Sequence, residues 1–218
     1  MNEDQWNTIE SYNKTAKDFS ETIGKLHNYD HTYDFLITGL RKGDRILDLA
    51  CGPAHISRYI IDRIKVSVTG VDLSDKMLEI ARTEIPSGNF YRQSIIDFSG
   101  NEKYHAVIIG FGIPYLNKQQ TEECIKNAIN NTIDRKYLYI SFMHGNGSKI
   151  EKTSFGGNHD FKIYYHNKND IKKFLQNNNM EIVREYELDY PESDGSISKD
   201  IIYISQRLPQ LKEETKKS

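Results

Sequence analysis

Ile46-Leu47-Asp48-Leu49-Ala50-Cys51-Gly52-Pro53-Ala54-His55 is an apolar run that ends in a turn of small residues and passes directly into a helical pattern. The run reads as a strand buried on both faces. Small residues in the turn let backbone and ligand approach closely, and the unpaired N–H groups of the following helix can meet a carboxylate or a phosphate. In open α/β sheets the ligand lies beyond the carboxyl ends of the strands, where the strand order reverses. The stretch therefore predicts the site-bearing strand, turn and helix of such a sheet.

The same alternation continues outward. Arg45 to Ala50, Ser67 to Asp72, Asn89 to Ser94, His105 to Gly110 and Tyr137 to Met143 read as strands, short and bounded by polar residues or glycine. Ala54 to Arg63, Asp75 to Glu84 and Lys118 to Asn131 read as the helices between them, the second opened by Ser74 as N-cap. Strand and helix in turn predict a doubly wound, mostly parallel α/β sheet with helices on both faces. A helix near Asn169 to Asn178 is followed by strands Glu181 to Asp189 and Asp200 to Gln206, an antiparallel hairpin whose connection, Tyr190 to Lys199, is too long for a tight turn. Asp4 to Leu40 reads as mainly helical, broken at Asp30-His31. The expectation is one domain over 1–208, with an N-terminal helical cap over 1–40 and a charged, disordered tail over 209–218.

Lysine plus arginine (29) nearly balances aspartate plus glutamate (31), so the chain has no overall positive field for a polyanion, and nucleic acid is disfavoured as a partner. Cys51 and Cys124 are too few for a disulfide framework and lie in no zinc spacing; both read as reduced thiols, and no metal is expected. The polar, acidic start and the lack of any apolar run of about 20 residues predict a cytoplasmic protein with no membrane partner.

Asp72 ends the second strand 20 residues after Gly52, where a carboxylate can accept hydrogen bonds from both ribose hydroxyls. Turn and acid together point to a nucleoside ligand. A dinucleotide fingerprint laid on the turn needs glycines at Ala50, Gly52 and His55, and only Gly52 fits. S-adenosylmethionine carries no phosphate, only an amino-acid carboxylate and amine, so a looser turn serves it, and the residues favour it over NAD.

Asp48-Leu49-Ala50-Cys51-Gly52-Pro53-Ala54 resembles the first motif, D/E-x-G-x-G-x-G, of class I S-adenosylmethionine-dependent methyltransferases, and Val71-Asp72-Leu73-Ser74-Asp75-Lys76-Met77-Leu78 resembles the second. The likeness continues through Tyr91 to Phe98 and Tyr104 to Gly110, covering about Tyr12 to Gln206. It implies a Rossmann-like sheet of seven strands in which the final hairpin supplies the antiparallel strand. It also implies a cofactor site of Asp48, Ala50, Cys51, Gly52 and Asp72, with Leu73 and Met77 on the adenine, Ile95 offering its N–H, and Gly110 with Phe111 beside the methionine moiety. Tyr12 resembles an N-terminal tyrosine that closes over the cofactor in small-molecule methyltransferases, and with Phe111 and Tyr115 it offers the sulfonium an aromatic face. The sequence departs from the pattern at two places. Ala50 and Ala54 replace motif glycines, where a Cβ fits only if φ is negative, and Ser94 stands where an acidic residue commonly contacts the adenine amino group, with Asp97 as an alternative. A slightly altered cofactor geometry is expected.

Methyl transfer from a sulfonium needs alignment and exclusion of water, and a base where the acceptor must lose a proton. Tyr115, His144, Tyr165 and His166 follow the fourth and fifth strands, where an acceptor enters, and His31 can reach the same mouth from the cap. The glycine-rich stretch His144 to Asn167 reads as a long connection that shapes the acceptor pocket. The acceptor is read as a small or peptide-like molecule. The competing readings are a nucleic-acid methyltransferase, since Gly112-Ile113-Pro114-Tyr115 loosely resembles N-P-P-Y, and a non-catalytic module that binds S-adenosylmethionine.

Overall fold

The structure, a computed structural model, describes residues 3–100, 102–152, 160–191, 195 and 197–209. The expected tail, 209–218, lies outside these residues apart from Pro209. Two helices, α1 (Glu3–Ile23) and α2 (Asp30–Thr38), precede β1 (Arg45–Leu49), α3 (His55–Ile61), β2 (Ser67–Asp72), α4 (Asp75–Glu84), β3 (Asn89–Arg92) and β4 (Tyr104–Ile109). A 3-10 turn (Ile113–Tyr115) leads to α5 (Lys118–Asn131) and β5 (Thr132–Met143), then β6 (Ser148–Lys152), β7 (Asp160–Tyr164), α6 (Lys168–Asn177), β8 (Met180–Pro191) and β9 (Ile197–Arg207). Seven strands form one sheet in the order β3-β2-β1-β4-β5-β9-β8. β1 to β5 pair in parallel, and β9 enters antiparallel between β5 and β8. The strand order reverses between β1 and β4, so a cleft opens beyond the ends of those two strands.

The two-residue period of β1 builds the layers. Leu47 and Leu49 face the cluster of α5 and α6 (Ile125, Ala128, Ile171, Leu175), and Ile46 faces that of α2, α3 and α4 (Leu36, Ile56, Ile60, Leu78, Ala81). Helix starts are fixed by side chains. Ser74 Oγ accepts from Met77 N, and Asn117 with Gln120 forms a capping box on α5.

Four sequence expectations are corrected. The N-terminal helical stretch breaks at residues 24–29, not at Asp30-His31, because Asp30 opens α2, where a carboxylate is favoured, and Thr32 Oγ1 bonds back to Tyr29 O. Part of the stretch 144–167 is an antiparallel ribbon, β6 with β7, in which buried Phe161 and Ile163 alternate with half-exposed Lys162 and Tyr164. β5 begins five residues earlier than Tyr137, through a register shift against β4 and a left-handed Arg135 (φ 61°). The final hairpin pairs out to Pro191 and Ile197, so its connection is shorter than Tyr190 to Lys199.

The turn after β1 carries a further correction. Ala50 (φ 58°), Gly52 (φ 52°) and Ala54 (φ 65°) are all left-handed, so the two alanines adopt the glycine conformation despite their Cβ atoms. Space for the Ala50 methyl comes from Gly112 across the cleft, where an added Cβ would lie 2.8 Å from Ala50 Cβ. A left-handed alanine costs about 1–2 kcal/mol, of which the greater chain entropy of glycine offsets part. Ala50→Gly is therefore expected to stabilise the protein by about 0.5–1 kcal/mol, a rise of about 2 °C in the thermal midpoint; a lowered midpoint in calorimetry would show that the methyl's packing outweighs the strain.

Candidate functional site

Asp72 stands at the end of β2, beside the turn. Its Oδ2 accepts from Gly52 N at 2.9 Å and its Oδ1 from Ser74 N at 2.8 Å, so one carboxylate joins the β1 turn to the start of α4. Burial raises its pKa, opposed by the N–H groups of Ser74, Gly52 and Leu73. The two oxygens carry four lone pairs between them and the backbone N–H groups leave acceptor capacity for a hydroxyl donor. The chemistry of this acceptor fits a ribose diol.

Asp48, on the α3 side of β1, is buried and accepts from Ser57 Oγ at 2.7 Å. Burial pushes its carboxyl up to about 7, the Ser57 bond lowers it and Asp72 raises it. It ties β1 to α3. Cys51 is buried, donates its N–H to Val71 O at 3.0 Å, and has a thiol raised by burial, so it fills space without being a reactive thiolate. His55, at the first position of α3, is pushed down to about 4 by burial and is neutral at pH 7; its Nδ1 has no hydrogen-bond partner.

The far wall comes from the β4 end. Gly110 lies close over Ile56, where a Cβ would fall 2.4 Å from Ile56 Cδ1, and left-handed Phe111 (φ 55°) is held by its N–H to Ser141 Oγ at 2.9 Å. Met77 and Ile95 are buried, Leu73 and Ser94 half-buried, and Ser94 Oγ accepts from Ile96 N at 3.2 Å. Asp97 is exposed.

Tyr12 closes the site from α1. Its hydroxyl hydrogen-bonds that of Tyr115, its ring lies 5.1 Å from that of Phe161 on β7 and 5.3 Å from that of Phe19, and the Asp72 charge contributes to its raised pKa. Phe19 faces Gly52. Among the acceptor-side candidates, the structure brings Tyr115 to Tyr12 and pairs His144 with His166 in an isolated bridge. His166 is buried, its Nε2 has no hydrogen-bond partner, and burial lowers its pKa against the pull of the Ile113 and Leu116 carbonyls, so the ring is neutral at pH 7. Tyr165 packs over Gly145, with Lys149 Nζ 5.3 Å from its ring centre. His31 departs from expectation: it is exposed on α2 with its ring 5.2 Å from Tyr186 of β8, because the helix start at Asp30 turns it toward the sheet edge.

The sequence placed Phe161 only within the pocket-shaping stretch His144 to Asn167, and Phe19, Tyr29 and Asp200 were not among the expected site residues. Tyr29 packs on Phe111 at 5.2 Å and donates to the buried Asp200 Oδ2 at 2.5 Å. The alternation of Phe161 and Ile163 was the available signal for the first; the Tyr29–Asp200 pair, 171 residues apart, has no local signature.

The order β3-β2-β1-β4-β5-β9-β8 and the turn with its acid are matched from outside: a family model described as Methyltransferase domain covers residues 46–132. Over those residues the chain is similar to methyltransferases, in line with the class I S-adenosylmethionine-dependent family that the sequence resembles. The chain is 25% identical over 158 residues to a release factor glutamine methyltransferase of Fusobacterium nucleatum, covering 65% of the chain and 44% of the relative. It is 36% identical over 64 residues to a trans-aconitate 2-methyltransferase of Rhizobium rhizogenes, covering 29% and 25%. It spans less than half the length of both. Magnesium protoporphyrin IX methyltransferase of Synechocystis, solved with bound S-adenosylmethionine, shares the fold at TM-score 0.69 and 18% identity, over 94% of this chain and 98% of that one.

Asp48 generates a pH test in the ligand-free protein. Its folded pKa, about 7, lies above the unfolded value of about 3.9, so between these the folded state keeps a proton that the unfolded state has lost. Its contribution makes stability fall as pH rises from about 4 to 7 and level off above. Asp48→Asn is expected to flatten that fall and to be more stable at pH 8 by at least ~1 kcal/mol relative to its difference at pH 4; parallel denaturation profiles for the two proteins would contradict the assignment.

Proposed function

We propose that this chain transfers the methyl group of S-adenosylmethionine to an oxygen or nitrogen of a small-molecule or peptide-like acceptor, by in-line displacement. The observation that carries the reading is the Asp72 carboxylate, bound to Gly52 N and Ser74 N and retaining acceptor capacity for a ribose. When bound, the cofactor supplies a methyl group activated on a sulfonium. Asp72 and the turn Ala50 to Gly52 hold it, Met77, Leu73, Ser94 and Ile95 border the adenine side, and Gly110 with Phe111 border the methionine side. Tyr12, Phe19 and Phe161 exclude water, which strengthens the electrostatics of the site.

On the acceptor side, neutral His166, His144, Tyr115 and Tyr165 are the groups available to take a proton from a hydroxyl or an ammonium. His31, on the edge of the sheet, has no part in this. The relatives bear the names of very different acceptors, a protein glutamine, trans-aconitate and magnesium protoporphyrin IX, so a shared cofactor site is consistent with the acceptor at class level only. The reading takes 1–208 as one catalytic domain. Two free, buried cysteines support a cytoplasmic setting, and among the described residues no helix is long and apolar enough to cross a membrane.

The test is calorimetric titration with S-adenosylmethionine and S-adenosylhomocysteine. Micromolar binding by the wild type is expected, weakened at least ~100-fold in Asp72→Ala, which loses the charged acceptor of two hydroxyls. No binding by folded wild-type protein overturns the proposal.

A further inference from the structure

α1 meets the rest of the protein through the aromatic rings of Tyr12 and Phe19 and through a face of small side chains. Its inner face is Thr8, Ser11, Thr15 and Ala16, with Ile9 as the large buried aliphatic residue, and Trp6 is 47% exposed. Where large aliphatic side chains are few, a hydrogen bond that crosses from the helix to the body of the protein weighs in its docking. Against that background one contact stands out. Asn13 Oδ1 accepts from Ser74 Oγ at 2.7 Å and from Lys76 N at 3.3 Å. Lys76 N is one of the N–H groups that the first turn of α4 leaves without an intrahelical partner, and Ser74 Oγ is already engaged in accepting from Met77 N. Asn13 thus completes the cap of α4 from a different helix.

The location gives the bond its consequence. Ser74 N holds Asp72 Oδ1, so α1 is tied to that carboxylate through one residue, and Tyr12, next to Asn13 in sequence, is near enough for the Asp72 charge to contribute to its raised pKa. Resting on the cofactor reading above, we propose that Asn13 is a positioning residue that latches α1 onto the start of α4, keeps Tyr12 seated over the site, and thereby sets the rate of cofactor release. The latch uses Asn13 only as an acceptor; its Nδ2 reaches Glu10 Oε1 at 3.4 Å within α1. A carboxylate in its place keeps both bonds and adds charge favoured at a helix N-terminus, whereas an isosteric aliphatic residue removes them.

The experiment is release of radiolabelled S-adenosylhomocysteine from the full chain, chased with excess unlabelled compound. Asn13→Leu is expected to release about 10-fold faster than wild type, and Asn13→Asp at close to the wild-type rate. The ligand-free variants are compared by circular dichroism, and Asn13→Ala stands in should leucine not be accommodated. Equal release from wild type and the acceptor-free variants, or fast release from Asn13→Asp, overturns the latch while leaving the cofactor reading intact. A wild type that does not bind the compound overturns both.

Discussion

The two backbone hydrogen bonds to Asp72 are the constraint from which the site follows. β1 and β2 are parallel neighbours, so their ends are adjacent, and the Cys51 N–H bond to Val71 O carries the pairing one residue into the first turn. One carboxylate taking Gly52 N and Ser74 N fixes the two turns against each other. That fixes the start of α3 through Ala54, the start of α4 through Ser74, and the path of α1 through Asn13. A charged acceptor suits this place because Ser74 N stands at the N-cap of α4, where positive partial charge accumulates, and Gly52 N in the turn that leads into α3.

The left-handed backbone around the cleft is the second constraint. Ala50, Gly52 and Ala54 on one side and Phe111 on the other all have positive φ, and three of the four carry a Cβ. Such conformations persist only where neighbours hold them. Ala54 is fully buried, Phe111 is held by Ser141 and faces Tyr29, and the Ala50 methyl uses the space left by Gly112. Glycine has moved across the cleft, so replacement of the motif glycines does not mean a relaxed turn.

What could be read from the sequence was local. β2, α4 and α5 begin and end where expected, because period-2 and helical patterns coincide with capping residues Ser74 and Asn117. Asp72 was legible for the same reason, being a strand-end acid at a fixed distance from a small-residue turn. The start of α2 was not, since both Asp30 and Tyr29 suit a turn, and the anchor that decides it, Asp200, is far away in sequence. The β6–β7 ribbon was obscured by the glycines around it. Tyr115 and Tyr12, 103 residues apart, were each named, but their meeting depends on the ribbon and on α1 docking together. The contact of His31 with Tyr186 of β8, 155 residues away, likewise has no local signature.

The most direct measurement is a crystal structure of the chain with S-adenosylhomocysteine. The account predicts both ribose hydroxyls on the Asp72 carboxylate, with Gly52 N and Ser74 N still bound to it, the methionine end along Ala50 and Phe111, and Tyr12 over the ligand. A ligand seated elsewhere, or one that displaces Gly52 and Ser74 from Asp72, would contradict it.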